Sequence, residues 1–182
     1  MRRVIVVFLI GVGCLILSGC VKSMHATPHP HSDIEAPTFC LYEGWATKQD
    51  AKPEPIYRLR VMRVNKINDE RIDWDTLKVL YAQVRPWSDQ DTWDIEYAPD
   101  GKSDPPEKPF ACITYGKVPP GYIEHIPAQS LIPERLYDVL IEPKGITPKS
   151  GVRFIIRADS TGKPIKLEYD FARNQIHVIT PQ

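Results

Sequence analysis

From Thr38 onward, apolar and polar residues alternate in short runs, and this period of two constrains the fold more than any other feature of the chain. Tyr57-Arg58-Leu59-Arg60-Val61 sets apolar side chains against basic ones, as a strand with one buried and one wet face requires. Leu77-Lys78-Val79-Leu80-Tyr81 and Trp93-Asp94-Ile95-Glu96-Tyr97 repeat the pattern. Further strands are expected at Phe39 to Glu43, Phe110 to Tyr115, Tyr137 to Ile141, Val152 to Arg157, Ile165 to Tyr169 and Ile176 to Thr180. The last two flank Ala172-Arg173-Asn174-Gln175, which reads as a hairpin turn. In the final strand Ile176 and Val178 are expected to face inward, leaving His177 to solvent. The 18 prolines and 10 glycines fall between the apolar segments, so they punctuate turns rather than signal disorder. Asp69 to Gln83 is open: Ile72, Leu77, Leu80 and Tyr81 do not exclude a helix, although the second half leans to strand. An all-β domain follows.

The first twenty residues say where such a domain works. Arg2 and Arg3 precede an apolar run from Val4 to Leu17, too short to span a bilayer and ending in small residues. Leu17-Ser18-Gly19-Cys20 then resembles the lipobox of bacterial lipoproteins. The resemblance implies a signal peptide over residues 1–19, cleavage before Cys20, and acyl chains on that cysteine. Several chains on one residue exceed what stable anchoring needs, at about 0.8 kcal/mol per buried methylene. Val21 rather than aspartate follows the cysteine, which in enteric-type lipoproteins implies the outer membrane. The chain is therefore expected on the periplasmic face of that membrane, anchored by lipid.

Cysteine use agrees with such a compartment. Cys14 leaves with the signal and Cys20 carries lipid, so Cys40 and Cys112 remain and are expected to pair. A metal pair or free thiols is the rival reading, but neither cysteine sits in a C-x-x-C or has histidine at ligand spacing. Without residues 1–19 the chain has 21 basic and 23 acidic residues, a net −2, which implies no nucleic-acid surface. Residues 20–37 read as an extended, mobile tether, with Pro28, Pro30 and Pro37 among polar residues and no apolar period. The tether also holds His25, His29 and His31, for which no metal is expected, because a floppy segment preorganises nothing. Residues 38–182 then form the domain.

One local pattern narrows the fold. Leu131-x-Pro133-x-x-x-Tyr137-x-Val139-x-Ile141 resembles the turn and strand of fibronectin type III domains, where the tyrosine hydroxyl bonds back to the preceding backbone. An immunoglobulin-like β-sandwich is the expected type, with a transthyretin-like sandwich as the alternative.

Catalysis needs a nucleophile, a base and an orienting group, or a metal cage. Outside the tether the only histidines are His125 and His177. His125 lies in a proline-bounded segment read as a loop, beside Glu124, but adjacent side chains rarely point together and no nucleophile elbow accompanies them. No phosphate loop or zinc spacing occurs, and a non-enzymatic chain without cofactor is expected. Trp87, Asp89, Asp91, Trp93 and Tyr97 are the candidate partner-binding residues, aromatic anchors in an acidic stretch suited to a basic protein. Against this stands the reading of the tryptophans as core. Arg58 and Arg60 share one side of their strand, which usually means solvent and cross-strand acids.

The order of motifs carries a family resemblance. The lipobox, Thr38-Phe39-Cys40-Leu41, Cys112-Ile113-Thr114-Tyr115-Gly116, Pro120-Gly121-Tyr122, Pro127-Ala128-Gln129-Ser130-Leu131 and Tyr137-Asp138-Val139 follow one another. This layout resembles a family of small enterobacterial lipoproteins described as type VI secretion immunity proteins of the periplasm. It covers roughly residues 17–43 and 110–142, while 44–109 matches no part of the pattern. The resemblance implies a protein that binds and blocks a secreted toxin. Two other classes remain: a structural lipoprotein of an envelope or secretion complex, and a small-ligand or glycan module stacking its ligand on Trp87 and Trp93.

Overall fold

The computed structural model describes residues 24–43, 53–64, 74, 90–98, 109–143, 150–171 and 175–181. Among these residues ten strands form two antiparallel sheets, and the fold is all-β. The strands are β1 (Met24–Pro28), β2 (Thr38–Glu43), β3 (Arg58–Arg63), β4 (Gln90–Tyr97), β5 (Cys112–Thr114), β6 (Tyr122–Ile126), β7 (Leu136–Glu142), β8 (Ser150–Ala158), β9 (Pro164–Phe171) and β10 (Gln175–Ile179). A small sheet has the order β1-β2-β5, and a large one the order β10-β9-β8-β7-β3-β4-β6. Three strands facing seven differ from the four-on-three arrangement of a constant-type immunoglobulin domain.

The alternation seen in the sequence decides which face is buried. Leu59 and Val61 of β3, Trp93 and Ile95 of β4, Tyr137, Val139 and Ile141 of β7, and Val152, Phe154 and Ile156 of β8 enter one core. The small sheet closes it with Ala26, Phe39, Leu41 and Ile113. Phe39 meets Phe154 across the sheets at 5.4 Å, and Phe154 stacks on Tyr137 at 5.1 Å. Each aromatic side chain of this size buries more apolar surface than an aliphatic one, at roughly 25 cal/mol per Å². On the outer face of the large sheet, Val64, Leu136 and Ile155 make a second cluster against Trp74.

The tether expected over residues 20–37 is corrected by the structure. Met24–Pro28 pairs with β2 from Met24↔Glu43 to Pro28↔Phe39, and Ala26 is buried. The loop back to β2 is tied as well: the His29 amide donates to the Thr38 carbonyl at 2.7 Å, Thr38 donates to Ser32 Oγ at 3.0 Å, and Ile34 is buried. Proline is tolerated because β1 is an edge strand, where one missing N–H leaves no ladder bond unmade. Met24 to Pro37 therefore belong to the folded domain, which does not wait for Thr38.

Two further expectations change. The segment around His125 is strand β6 rather than loop, paired with β4. In β10 the parity is reversed: His177 stacks on Tyr169 at 5.3 Å and Ile179 is buried, while Val178 is 53% exposed. The register His177↔Tyr169 sets this, because Tyr169 packs on the core face. The β9–β10 hairpin itself is present, with its turn residues 172–174 outside the described residues. The strand expected at Leu77 to Tyr81, like the open segment 69–83, lies outside them too, apart from Trp74, whose backbone is helical.

Candidate functional site

Cys40 and Cys112 are joined, as their number and setting suggested, in a disulfide of 2.08 Å between directly opposed residues of β2 and β5. The neighbouring backbone bonds, Leu41 N–H to Ala111 O and Tyr115 N–H to Pro37 O, place the pair at a position without ladder bonds of its own. That is where opposed Cα atoms come closest, here 4.1 Å. Next along, the hydroxyls of Thr38 and Thr114 meet at 2.8 Å.

The tyrosine corner is present. Tyr137 Oη accepts the Ile132 amide at 2.7 Å, and Leu131 packs against the core. Burial pushes the Tyr137 phenol up from its ordinary value. Glu134, within the same turn, has a left-handed backbone (φ 59°), and its carboxylate accepts Arg157 Nη1 and the Ala158 amide at 2.8 and 2.9 Å. Arg157 also donates Nε to Glu168 at 2.8 Å, which Trp74 Nε1 reaches at 3.0 Å. Burial would raise the Glu168 pKa, but hydrogen bonds from Lys166, Arg157 and Trp74 outweigh it and hold the carboxyl at about 2. This cluster pins Trp74 to the outer sheet face.

The described part of the acidic and aromatic stretch does not form one surface. Trp93 is fully buried, with Nε1 donating to Glu124 at 2.8 Å and its ring edge-on to Tyr115 at 5.2 Å. It is a core residue, so it can neither anchor a partner nor pair with Trp87 as a stacking platform. Asp91 and Tyr97 are half-buried near opposite ends of β4, six residues or about 20 Å apart. Tyr97 packs edge-on against Tyr57 and Tyr122 at 5.5 and 5.4 Å. Trp87 and Asp89 lie outside the described residues, as does Cys20 with the signal segment. Asp94 is buried and holds Arg58 with two bonds of 2.7 and 3.1 Å. Arg60 faces Glu142 at 3.9 Å, so the two arginines do meet cross-strand acids.

What the sequence concealed is β6. Among the described residues it ends the large sheet beside β4, with Ile123, Glu124 and His125 exposed, Ile123 by 50%. Glu124 turns toward Trp93, while His125 Nε2 meets Glu96 at 3.1 Å on the outer face. The adjacent pair therefore diverges and cannot act together on one substrate atom. Tyr122 anchors the strand start: its hydroxyl donates to Ile56 O and accepts the Phe110 amide, and burial pushes its pKa up to about 12. Only the pattern Y-I-E-H-I between prolines hinted at an edge strand, and its exposed run lacks alternation.

The His29 and His31 rings lie 5.7 Å apart, tilted by 52°, in the loop after β1, and among the described residues no three His, Cys, Asp or Glu side chains converge as a metal site would require. Comparison with family models, curated proteins and solved structures finds no match to this chain.

Proposed function

We propose that this chain is a non-enzymatic lipoprotein domain, anchored through Cys20 at the periplasmic face of the outer membrane, that binds a protein partner. In this reading residues 1–19 are the signal peptide, and the partner is a type VI secretion toxin whose active cleft the domain blocks. The observation that carries the reading is β6, the edge of the large sheet among the described residues: an edge strand with exposed side chains is a ready template for a partner's extended segment. Tyr97 adds half-buried aromatic surface where β4 pairs with β6, while Asp91 lies toward the other end of β4, with Trp87 and Asp89 just upstream in sequence. The Cys40–Cys112 disulfide supports an oxidising compartment.

The test is capture of the lipidated chain, tagged at its C-terminus, from native envelopes. Recovery of a secreted protein that kills cells lacking this chain supports the protector reading. Recovery of membrane-complex subunits, with a secretion defect and no killing, replaces it with the structural class. Within that test Ile123→Glu leaves the melting temperature unchanged, because the side chain is half exposed, and weakens capture roughly tenfold by charging the edge.

A further inference from the structure

Met24 opens β1 only four residues after Cys20. An extended chain spans at most about 3.5 Å per residue, so these two Cα atoms lie within about 14 Å of each other. A tether lasting to Thr38 would have reached about 60 Å. We propose that the lipidated chain is held flush on the bilayer, with the end of the small sheet that carries Met24, Glu43, Pro53, Pro55 and Phe110 facing the lipid. This rests on lipidation of Cys20.

With its acyl chains in the hydrocarbon, Cys20 sits at headgroup level, in a layer about 5–7 Å deep per leaflet. A folded chain of this size has a radius of gyration of about 15 Å, so the leash is shorter than the domain is wide. The domain cannot turn its far end to the membrane. Pairing defines what lies at the near end. Met24 opposes Glu43, and Tyr42 bridges to Pro53. Glu54 N–H reaches Leu41 O, and Ile56 N–H reaches Phe110 O, each at 2.8 Å. Pro53 and Pro55 are exposed there, and Phe110 is 43% exposed.

An exposed phenyl ring and two prolines lose apolar contact with water at a lipid interface. Glu43 and Glu54 share this end, so the leash and the apolar tips hold it rather than charge, and zwitterionic lipid is the fitting surface. The opposite end, with the His29–Pro37 loop and the 40%-exposed Val118 after β5, stands one strand length further out, about 15 Å. A lipid surface is the one occupant that the anchor itself brings within reach of Met24.

The experiment uses the full precursor, processed in cells and transferred to nanodiscs of zwitterionic lipid. The photo-crosslinker p-benzoylphenylalanine replaces Phe110 in one sample and Val118 in another. Intact mass first reports acylation of Cys20; an unacylated cysteine overturns the anchor reading and this proposal with it. With acylation present, position 110 forms lipid adducts roughly tenfold more than position 118, as expected of a contact that falls off over a strand length. A Gly/Ser insertion of about 15 residues between Ser23 and Met24, adding about 20 Å, brings position 110 down to the level of 118. Equal adducts at both positions, none at 110, or no effect of the insertion would overturn the proposal while leaving the anchor intact.

Discussion

Tyr137 ties its ring to the core and its hydroxyl to a turn, and the two roles separate under mutation. Tyr137→Phe keeps the stack on Phe154 and removes the acceptor of the Ile132 amide. An amide left without its partner costs about 1–2 kcal/mol, to be read from urea unfolding at constant m-value. This residue was legible because its partner lies five positions away and the spacing is local. Glu168 was not, since Trp74 lies 94 positions off and Arg157 meets it only through sheet pairing. Glu168→Gln leaves the buried Arg157 with one acid instead of two, and at pH 7 is expected to cost about 3 kcal/mol. Because the folded pKa is depressed to about 2, this stabilisation is full above the unfolded value of 4.5 and fades as pH falls from there toward 2. Urea unfolding of both proteins at pH 7 and pH 3 checks it. A stability difference as large at pH 3 as at pH 7 would contradict the ionised cluster.

Among elements, the strands that could be seen in advance are those with one wet and one dry face, such as β3, where Arg58 and Arg60 alternate with Leu59 and Val61. β1 and β6 escaped notice for a shared reason. Both are edge strands among the described residues; β1 contains a proline and two polar residues, His25 and Thr27, and β6 exposes three consecutive side chains. Their pairing comes from the neighbouring strand, which no local pattern reveals. β5 is a different case, three residues long and bonded covalently to β2. The disulfide closes a loop of 72 positions, for which chain entropy predicts an upper figure of about 4 kcal/mol. Replacing Cys40 and Cys112 together by alanine should therefore lower stability by about 2–4 kcal/mol, measured by denaturant unfolding against the oxidised parent. An unchanged midpoint would mean that β5 is held by its backbone and Ile113 alone.

At the scale of the molecule, the class all-β followed from periodicity, but the partition into three and seven strands did not. It depends on pairings such as β3 with β7 and β4 with β6, between segments far apart in sequence. The same non-local logic places the start of the domain. β1 covers the edge of β2 and brings Ala26 into the core, and the loop that follows buries Ile34. A chain beginning at Met24 should then melt cooperatively at the temperature of the longer one. A chain beginning at Thr38 loses five ladder positions and both apolar contacts, a loss on the order of 3–5 kcal/mol. That is a large share of the roughly 5–15 kcal/mol that holds a domain together. It also uncovers β2 as a new edge beside Phe39 and Leu41, so the shortened chain is expected to aggregate. Calorimetry and light scattering on the two chains decide the matter. Equal melting temperatures would show that β1 adds nothing to the fold, restore a long tether, and remove the basis for a domain held against the membrane.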